Sequence, residues 1–156
     1  MKLLSSLLFA LVVSVITLGC SNPADDGERR VTIDRGRITW KVGTVQHTTS
    51  VIGMRNPDTT PETITIVGAW NGEGAMFNVS LTLNNVTGRD TVSIGGSEAS
   101  ASVNEAGVSG SATSGEIEIV TFDRDHVEGL FKFNALGENS QTIVVTDGQF
   151  NLDLLF

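Results

Sequence analysis

The chain has a single cysteine, Cys20, and its surroundings suggest a specific chemistry for its thiol. Before it come Lys2 and 17 uncharged, mostly apolar residues, 3–19, and after it comes a polar segment that begins with Ser21. This order is typical of a secretory signal peptide, and a small residue directly before a lone cysteine is typical of the form in which the thiol is acylated. We therefore expect cleavage before Cys20 and attachment of lipid to it.

Two other interpretations of this leader stay open. Thr17 stands three residues before the cysteine, where a lipoprotein signal usually has leucine, and Leu18 comes one place late. The leader can therefore be an ordinary signal peptide with an incidental cysteine, or a single membrane-spanning helix, although a span needs about 20 apolar residues. We favour lipidation, because a free thiol in an exported chain would need an explanation of its own.

Residues 123–128 form the densest polar cluster. Asp123, Asp125 and Glu128 offer the carboxylate oxygens that Ca²⁺ prefers, so they are weak candidates for metal ligands. The glycine of a sharp calcium loop is missing, however, and Arg124 is a counter-charge within the cluster. Aspartate is common in turns, so the sequence favours a solvated hairpin tip and predicts no metal.

Catalytic signatures are absent from the sequence. It contains no Gly-x-Ser-x-Gly, no His-Glu-x-x-His and no phosphate-binding loop. Its two histidines are His47, in a polar stretch that makes no ligand set by itself, and His126. We expect a protein that is not an enzyme and needs no cofactor. The alternative is a hydrolase with dispersed catalytic residues, using His126 with Asp123 or Asp125.

Trp40 and Trp70 are the only tryptophans and the only speculative ligand-binding residues. An exposed aromatic ring can hold a sugar by stacking, because it presents a flat apolar face beside a polar group. Each tryptophan lies in a run of alternating apolar residues, which favours a position in the core. Trp70 adjoins the polar segment 71–74, so we expect it to be the more exposed of the two.

Length and charge restrict the possible partners. Removal of residues 1–19 leaves 137 of the 156 residues, enough for one domain with its own core. The formal charge is −8, and loss of Lys2 makes it −9. A strongly acidic chain argues against a nucleic-acid partner.

Alternation with period two predicts an all-β fold. Short alternating runs are separated by Gly, Asn and Asp, and no segment has a sustained helical period. We predict a flexible tether at 20–29 and a single β-domain at 30–156, an antiparallel meander of about 9–11 short strands forming a β-sandwich or a rolled barrel, which alternation cannot distinguish. The predicted strands are 30–34, 37–42, 48–54, 63–70, 76–84, 91–95, 98–103, 116–122, 126–135, 141–146 and 149–156.

Turns should set the register of these strands. Asp147-Gly148 and Arg35-Gly36 are predicted two-residue hairpin turns, and the 123–125 segment a third turn. Residues 95–115 are rich in Gly, Ser and Ala and are predicted to form an edge strand followed by a loose loop. In the last third, the turns pair Phe133 with Ile143 and Ile117 with Phe131. They place nine apolar residues on one face: Ile117, Ile119, Val127, Phe131, Phe133, Ile143, Val145, Phe150 and Leu152.

Three segments of the chain carry a family resemblance. The stretches SGEIEIVTFD (114–123), HVEGLFKF (126–133) and TIVVTDGQFNL (142–152) resemble those of a family of small lipoproteins of Bacteroidetes and related bacteria, classed as a domain of unknown function. These motifs are mostly turn glycines and inward phenylalanines, which specify a fold. The resemblance implies a lipid-anchored position in the cell envelope and transfers no catalytic residue.

The C-terminal segment supports a further alternative. Phe150, Leu152, Leu154 and Phe156 alternate and end on phenylalanine, as in the closing strand of outer-membrane β-barrels. Such strands need about 9–11 residues and aromatic girdles, whereas this chain has 6% aromatic residues and no Tyr. The leading hypothesis is therefore a non-enzymatic, lipid-anchored protein of the bacterial outer membrane, facing the periplasm or the cell surface. It would bind a glycan or an envelope protein, or serve a structural role, with any ligand at an open end of the fold or along 95–115.

Overall fold

Inward apolar and outward polar residues alternate along the strands of a closed β-barrel. The structure, a computed structural model, describes residues 30–72 and 75–156. The predicted leader and tether, including Cys20, lie outside the described residues. The strands are β1 (Arg37–Val42), β2 (Val45–Asn56), β3 (Thr63–Gly72), β4 (Ala75–Asn84), β5 (Asp90–Ile94), β6 (Ala99–Glu105), β7 (Val108–Phe122), β8 (His126–Gly137) and β9 (Thr142–Leu155).

The strands follow one another around the barrel in the order β1-β2-β3-β4-β6-β5-β7-β8-β9, and β9 closes the ring by pairing with β1. Most neighbours are antiparallel, but β5 meets β6 and β2 meets β9 in short parallel contacts. The predicted all-β fold is confirmed, and the structure decides for a barrel rather than a sandwich. It departs from a simple meander where β5 and β6 exchange places.

The two ends of the barrel differ in their connections. The upper end carries the β1–β2, β6–β7 and β8–β9 connections, and the lower end carries the β2–β3, β4–β5 and β7–β8 connections together with Phe156. The β5–β6 connection lies between the two ends, where Ile94 is beside Ala99. β5 lies beside only part of β7, since above it β6 pairs directly with β7. Below β1, β2 contacts β9 directly. Roughly eight strands therefore surround the interior at any height. A barrel of that many strands is narrow enough for side chains to fill its interior.

Large apolar side chains fill this interior. The largest fully buried ones include Trp40, Phe150, Ile38, Ile64, Ile66, Leu81, Leu83, Ile117, Ile119, Leu152, Val79 and Val103. Residues that alternate with them point outward and are mostly polar, as at Ser100, Lys132 and Asn134. The barrel is therefore apolar inside and polar over most of its outer wall.

The shared apolar face predicted for the last third is confirmed, because all nine of its residues are buried. The pair of Ile117 with Phe131 is also confirmed. The predicted pair of Phe133 with Ile143 is wrong by two residues, since Phe133 lies opposite Val145. A shift of two keeps every side chain on its face, so the pattern alone does not detect it.

Asp147-Gly148 is not a hairpin turn, contrary to the prediction. The predicted strands 141–146 and 149–156 form one continuous strand, β9, in which Asp147 has φ of 50° and the register shifts by one residue. Gly148 lies opposite Phe131, and a Cβ added to it would stand 2.5 Å from the Phe131 ring. Glycine is needed here because the ring occupies the space of a side chain.

Two other local predictions are wrong. Residues 30–36 form no strand or hairpin; they run along the outer wall, where the Thr32 backbone N–H donates to the Gln149 side chain at 3.0 Å. Residues 95–115 are no loose edge, because β6 and the start of β7 are both in the barrel, and Ala99 and Val103 are buried. The inward side chains of β6 are small because larger side chains from other strands occupy the interior.

Two surface ion pairs predict a loss of stability in acid. Hydrogen bonds from Arg35 lower the pKa of Asp153, and Arg55 in the same way lowers that of Glu62. The stabilisation that each ion pair contributes is complete above pH about 4, the ordinary pKa of a carboxyl group. It is lost as the pH falls through the lowered pKa of the paired carboxylate. The drop in urea midpoint from pH 7 to pH 3 should therefore be smaller in Asp153→Asn and Arg35→Met than in the unchanged protein. Equal drops in all three would contradict this.

Candidate functional site

Four rings form a column at the upper end of the barrel: Trp40, His47, Phe77 and Trp70, hereafter the aromatic column. Trp40 and His47 lie directly opposite each other across the β1–β2 turn, with ring centroids 5.0 Å apart. His47 stacks in turn on Phe77 at 4.8 Å, and Phe77 contacts its cross-strand partner Trp70 at 5.3 Å. The column therefore runs from fully buried Trp40 to Trp70, which is 45% exposed at the rim.

His47 lies beside the carboxylate of Glu105. Its Nε2 lies 3.1 Å from Oε2 of Glu105, which reaches inward from the end of β6. The His47 side chain is 4% exposed and that of Glu105 is 21% exposed. The pair therefore stands inside the barrel, just beneath its upper rim, where an electrostatic contact is stronger than on the surface.

The aromatic column and the adjacent Glu105 contain buried polar atoms that make no hydrogen bond. Within residues 30–72 and 75–156, Nε1 of Trp40, Nε2 of His47 and Oε2 of Glu105 are buried and have no hydrogen-bond partner of good geometry. Buried polar groups in folded proteins are nearly always paired, so three in one place mark an unusual site. Together they offer a donor and an acceptor beside an apolar stack.

Sequence reasoning missed two members of this site. His47 belongs to a polar stretch of the sequence, yet its side chain is buried because alternate residues of β2 point inward. It lies opposite Trp40 of β1. Glu105 continues the inward alternation of Ala99, Ala101 and Val103 by one more step. Extending the period of two through each strand end would have found both residues.

The core position favoured for both tryptophans is confirmed for Trp40 and wrong for Trp70. Trp40 is 0% exposed and belongs to the core, whereas Trp70 is the more exposed of the two. Trp40 is therefore not a surface platform. Trp70 has both an accessible face and a ring, Phe77, that packs against it.

The weak metal candidates are not brought together at the lower end. The 123–125 segment is the β7–β8 turn, as predicted, and Asp123 and Asp125 are exposed there. Glu128 instead accepts one hydrogen bond from the Thr121 hydroxyl group at 3.1 Å. In the part of the chain that the structure describes, no group of three or more acidic or histidine side chains is arranged to hold a metal ion.

His126 lies between two carboxylates that the sequence did not suggest. Its Nε2 is 3.2 Å from Glu128 and its Nδ1 is 3.4 Å from Asp153. The hydrolase alternative needs His126 beside Asp123 or Asp125, and neither is its partner in these contacts. Nε2 makes the closer of these two contacts, whereas Nδ1 is buried without a hydrogen bond of good geometry.

Comparisons with known proteins assign no family to the chain. No protein-family model, no curated protein and no solved structure matches it. The resemblance of residues 114–152 to small lipoproteins therefore stays a prediction. Among the described residues, no helix is long and apolar enough to cross a membrane.

Proposed function

We propose that the chain is a lipid-anchored protein of the bacterial outer membrane whose barrel binds carbohydrate at its upper end and catalyses no reaction. The observation that carries this proposal is the exposed ring of Trp70 at the end of the aromatic column. A tryptophan with one open face offers an apolar surface to the C–H face of a sugar ring. The anchor rests on Cys20 and the leader before it.

The platform is held in place before any ligand arrives. Trp70 packs on Phe77, Phe77 stacks on His47, and His47 lies against buried Trp40. A rigid side chain loses little conformational entropy on binding, so more of the contact energy appears as affinity. Glu105, partly exposed at the same end, adds a carboxylate, an acceptor suited to sugar hydroxyl groups.

Two observations favour this proposal over its alternatives. An enzyme needs a proton-transfer group in contact with substrate, but His47 is buried in the column and His126 is enclosed by Glu128 and Asp153. A membrane-spanning barrel has an apolar outer band around a polar interior. Here the interior is apolar and most of the outer wall is polar, which is the opposite arrangement.

Trp70→Ala is the direct test of the binding site. Full-length protein is screened on a glycan array, and affinities for the glycans it retains are measured by calorimetry. Truncation of a central aromatic contact costs about 1–2 kcal/mol, so affinity should fall by roughly 5- to 30-fold. Leu136→Ala is the matched control, because Leu136 is 50% exposed but lies on the outer wall of β8. An array with no bound glycan, or unchanged affinity in Trp70→Ala, would contradict the proposal.

Tryptophan fluorescence gives an independent measurement. Trp40 is fully buried and Trp70 is 45% exposed, so a water-soluble quencher such as acrylamide should report mainly on Trp70. A saturating glycan should then reduce the quenching. Trp70→Phe identifies the signal, because it leaves only the shielded Trp40 to emit. Quenching that does not change with bound glycan would place the ligand elsewhere.

A further inference from the structure

An apolar face lies on the outer wall at the lower end of the barrel. Ile52 and Met54 of β2, Leu155 of β9 and the terminal Phe156 are 59%, 55%, 59% and 68% exposed. We name these four residues the lower apolar face. Met54 and Leu155 are direct partners in the short parallel contact between β2 and β9, and Ile52 stands two residues from Met54 on the same side of β2.

The fold explains why these side chains are adjacent. β1 begins at Arg37, opposite Ser50 of β2, so below that level β2 and β9 meet each other. Val67 of β3, half-buried, lies opposite Ile52 and extends the apolar surface. Single exposed apolar residues are ordinary, but Ile52, Met54 and Leu155 together on an otherwise polar wall mark an interaction surface, with Phe156 at its lower edge.

Two arginines lie beside Phe156, and each also has an acidic neighbour. The guanidinium carbons of Arg55 and Arg124 lie 5.8 Å and 6.0 Å from the ring centre of Phe156. Arg55 also pairs with Glu62, and Arg124 lies 3.8 Å from Asp125. Apolar side chains bordered by arginine suit the headgroup boundary of a bilayer. There the apolar side chains enter the lipid and the guanidinium groups stay at its surface.

The length of the tether keeps a bilayer within reach, an argument that rests on the proposed lipid anchor. Arg30, the first described residue, lies ten residue steps after Cys20. Fully extended they span at most about 35 Å. The 14 residues of β9 alone cover about 46 Å along the strand. A tether shorter than this one strand keeps the membrane at a high effective concentration, so even a weak contact would be populated.

We propose that the lower apolar face docks on the surface of the lipid bilayer that holds the anchor. Docking at the lower end directs the upper end, with Trp70, away from the membrane. The face then has a function of its own: it orients the binding end of the barrel toward ligands in the surrounding solution.

Thiol labelling measures this docking. The lipidated full-length protein carrying Met54→Cys is added to preformed vesicles of phosphatidylethanolamine and phosphatidylglycerol, and a membrane-impermeant maleimide is applied. Labelling should be about fivefold slower than in the same protein without an anchor, made with Cys20→Ala, if about 80% of the molecules are docked. Ser100→Cys is the matched control on the exposed outer wall of β6, and its rate should not change.

Equal rates at Met54→Cys with and without the anchor would overturn the proposal. Slow labelling of the unanchored protein that depends on its concentration would also overturn it, because a second copy would then cover the face. The mass of each sample shows separately whether Cys20 is acylated. Where it is not, the anchor fails and the face is tested by flotation with the same vesicles: flotation lost in Ile52→Asp supports docking, and no flotation overturns it.

Discussion

Replacing Glu105 by leucine is expected to lower the free energy of unfolding by about 1–3 kcal/mol. The change leaves His47 inside the barrel without its carboxylate, and an unpaired buried partner is costly. We expect the lower end of the usual range because the Glu105 side chain is 21% exposed. Urea unfolding followed by circular dichroism measures the effect. Glu138→Leu, in the exposed β8–β9 connection, is the control and should stay within about 0.5 kcal/mol.

The double variant His47→Leu/Glu105→Leu separates the pair from its surroundings. Replacing both members of a buried polar pair by apolar residues is often nearly neutral, so the double variant should recover more than half of the loss. Some cost should remain because Trp40 and Phe77 lose the ring between them. A double variant as unstable as the two single changes added together would show that His47 and Glu105 do not interact.

Gly148→Ala should destabilise the barrel by about 1–3 kcal/mol, the usual cost of overpacking a filled interior. The added methyl group would stand 2.5 Å from the Phe131 ring, which is itself 3% exposed and cannot move outward. Gly88→Ala is the matched control, because an added Cβ there meets no atom within 4 Å. Thermal and urea unfolding of the two variants measure the difference.

A second change tests the cause of the Gly148 effect. Phe131→Leu removes part of the ring that the new methyl group meets, so Phe131→Leu/Gly148→Ala should be more stable than the sum of the two single effects. Gly148→Ala as stable as Gly88→Ala would mean that β9 shifts away from β8 at no cost. The close contact between Phe131 and Gly148 would then not determine the register of these strands.

The faces of the strands could be predicted from the sequence, but several registers could not. Period-two alternation placed Ile117, Phe131 and Val145 in the core, because a one-residue error would have turned a whole strand outward. A two-residue error keeps the same face, so alternation could not correct the partner of Phe133. Asp147-Gly148 has the composition of a hairpin turn, but Phe131 across the sheet makes it a bulge.

The candidate site was predictable only in part for a similar reason. Trp70 at a strand end beside a polar segment was correctly expected to be the more exposed tryptophan. The approach of His47 and Glu105 joins β2 and β6 across the interior, and their separation is set by closure of the barrel. No local pattern specifies which two inward residues meet across a closed sheet.

The intact mass of the mature protein, extracted from its native membrane, most directly tests the proposed lipid anchor on which its place in the envelope depends. We predict a chain of residues 20–156 that carries acyl groups on Cys20. The same sample, treated to release ester-linked acyl chains, should lose mass in the corresponding steps. An unmodified mass, with or without residues 1–19, would contradict the anchor and leave Cys20 a free thiol.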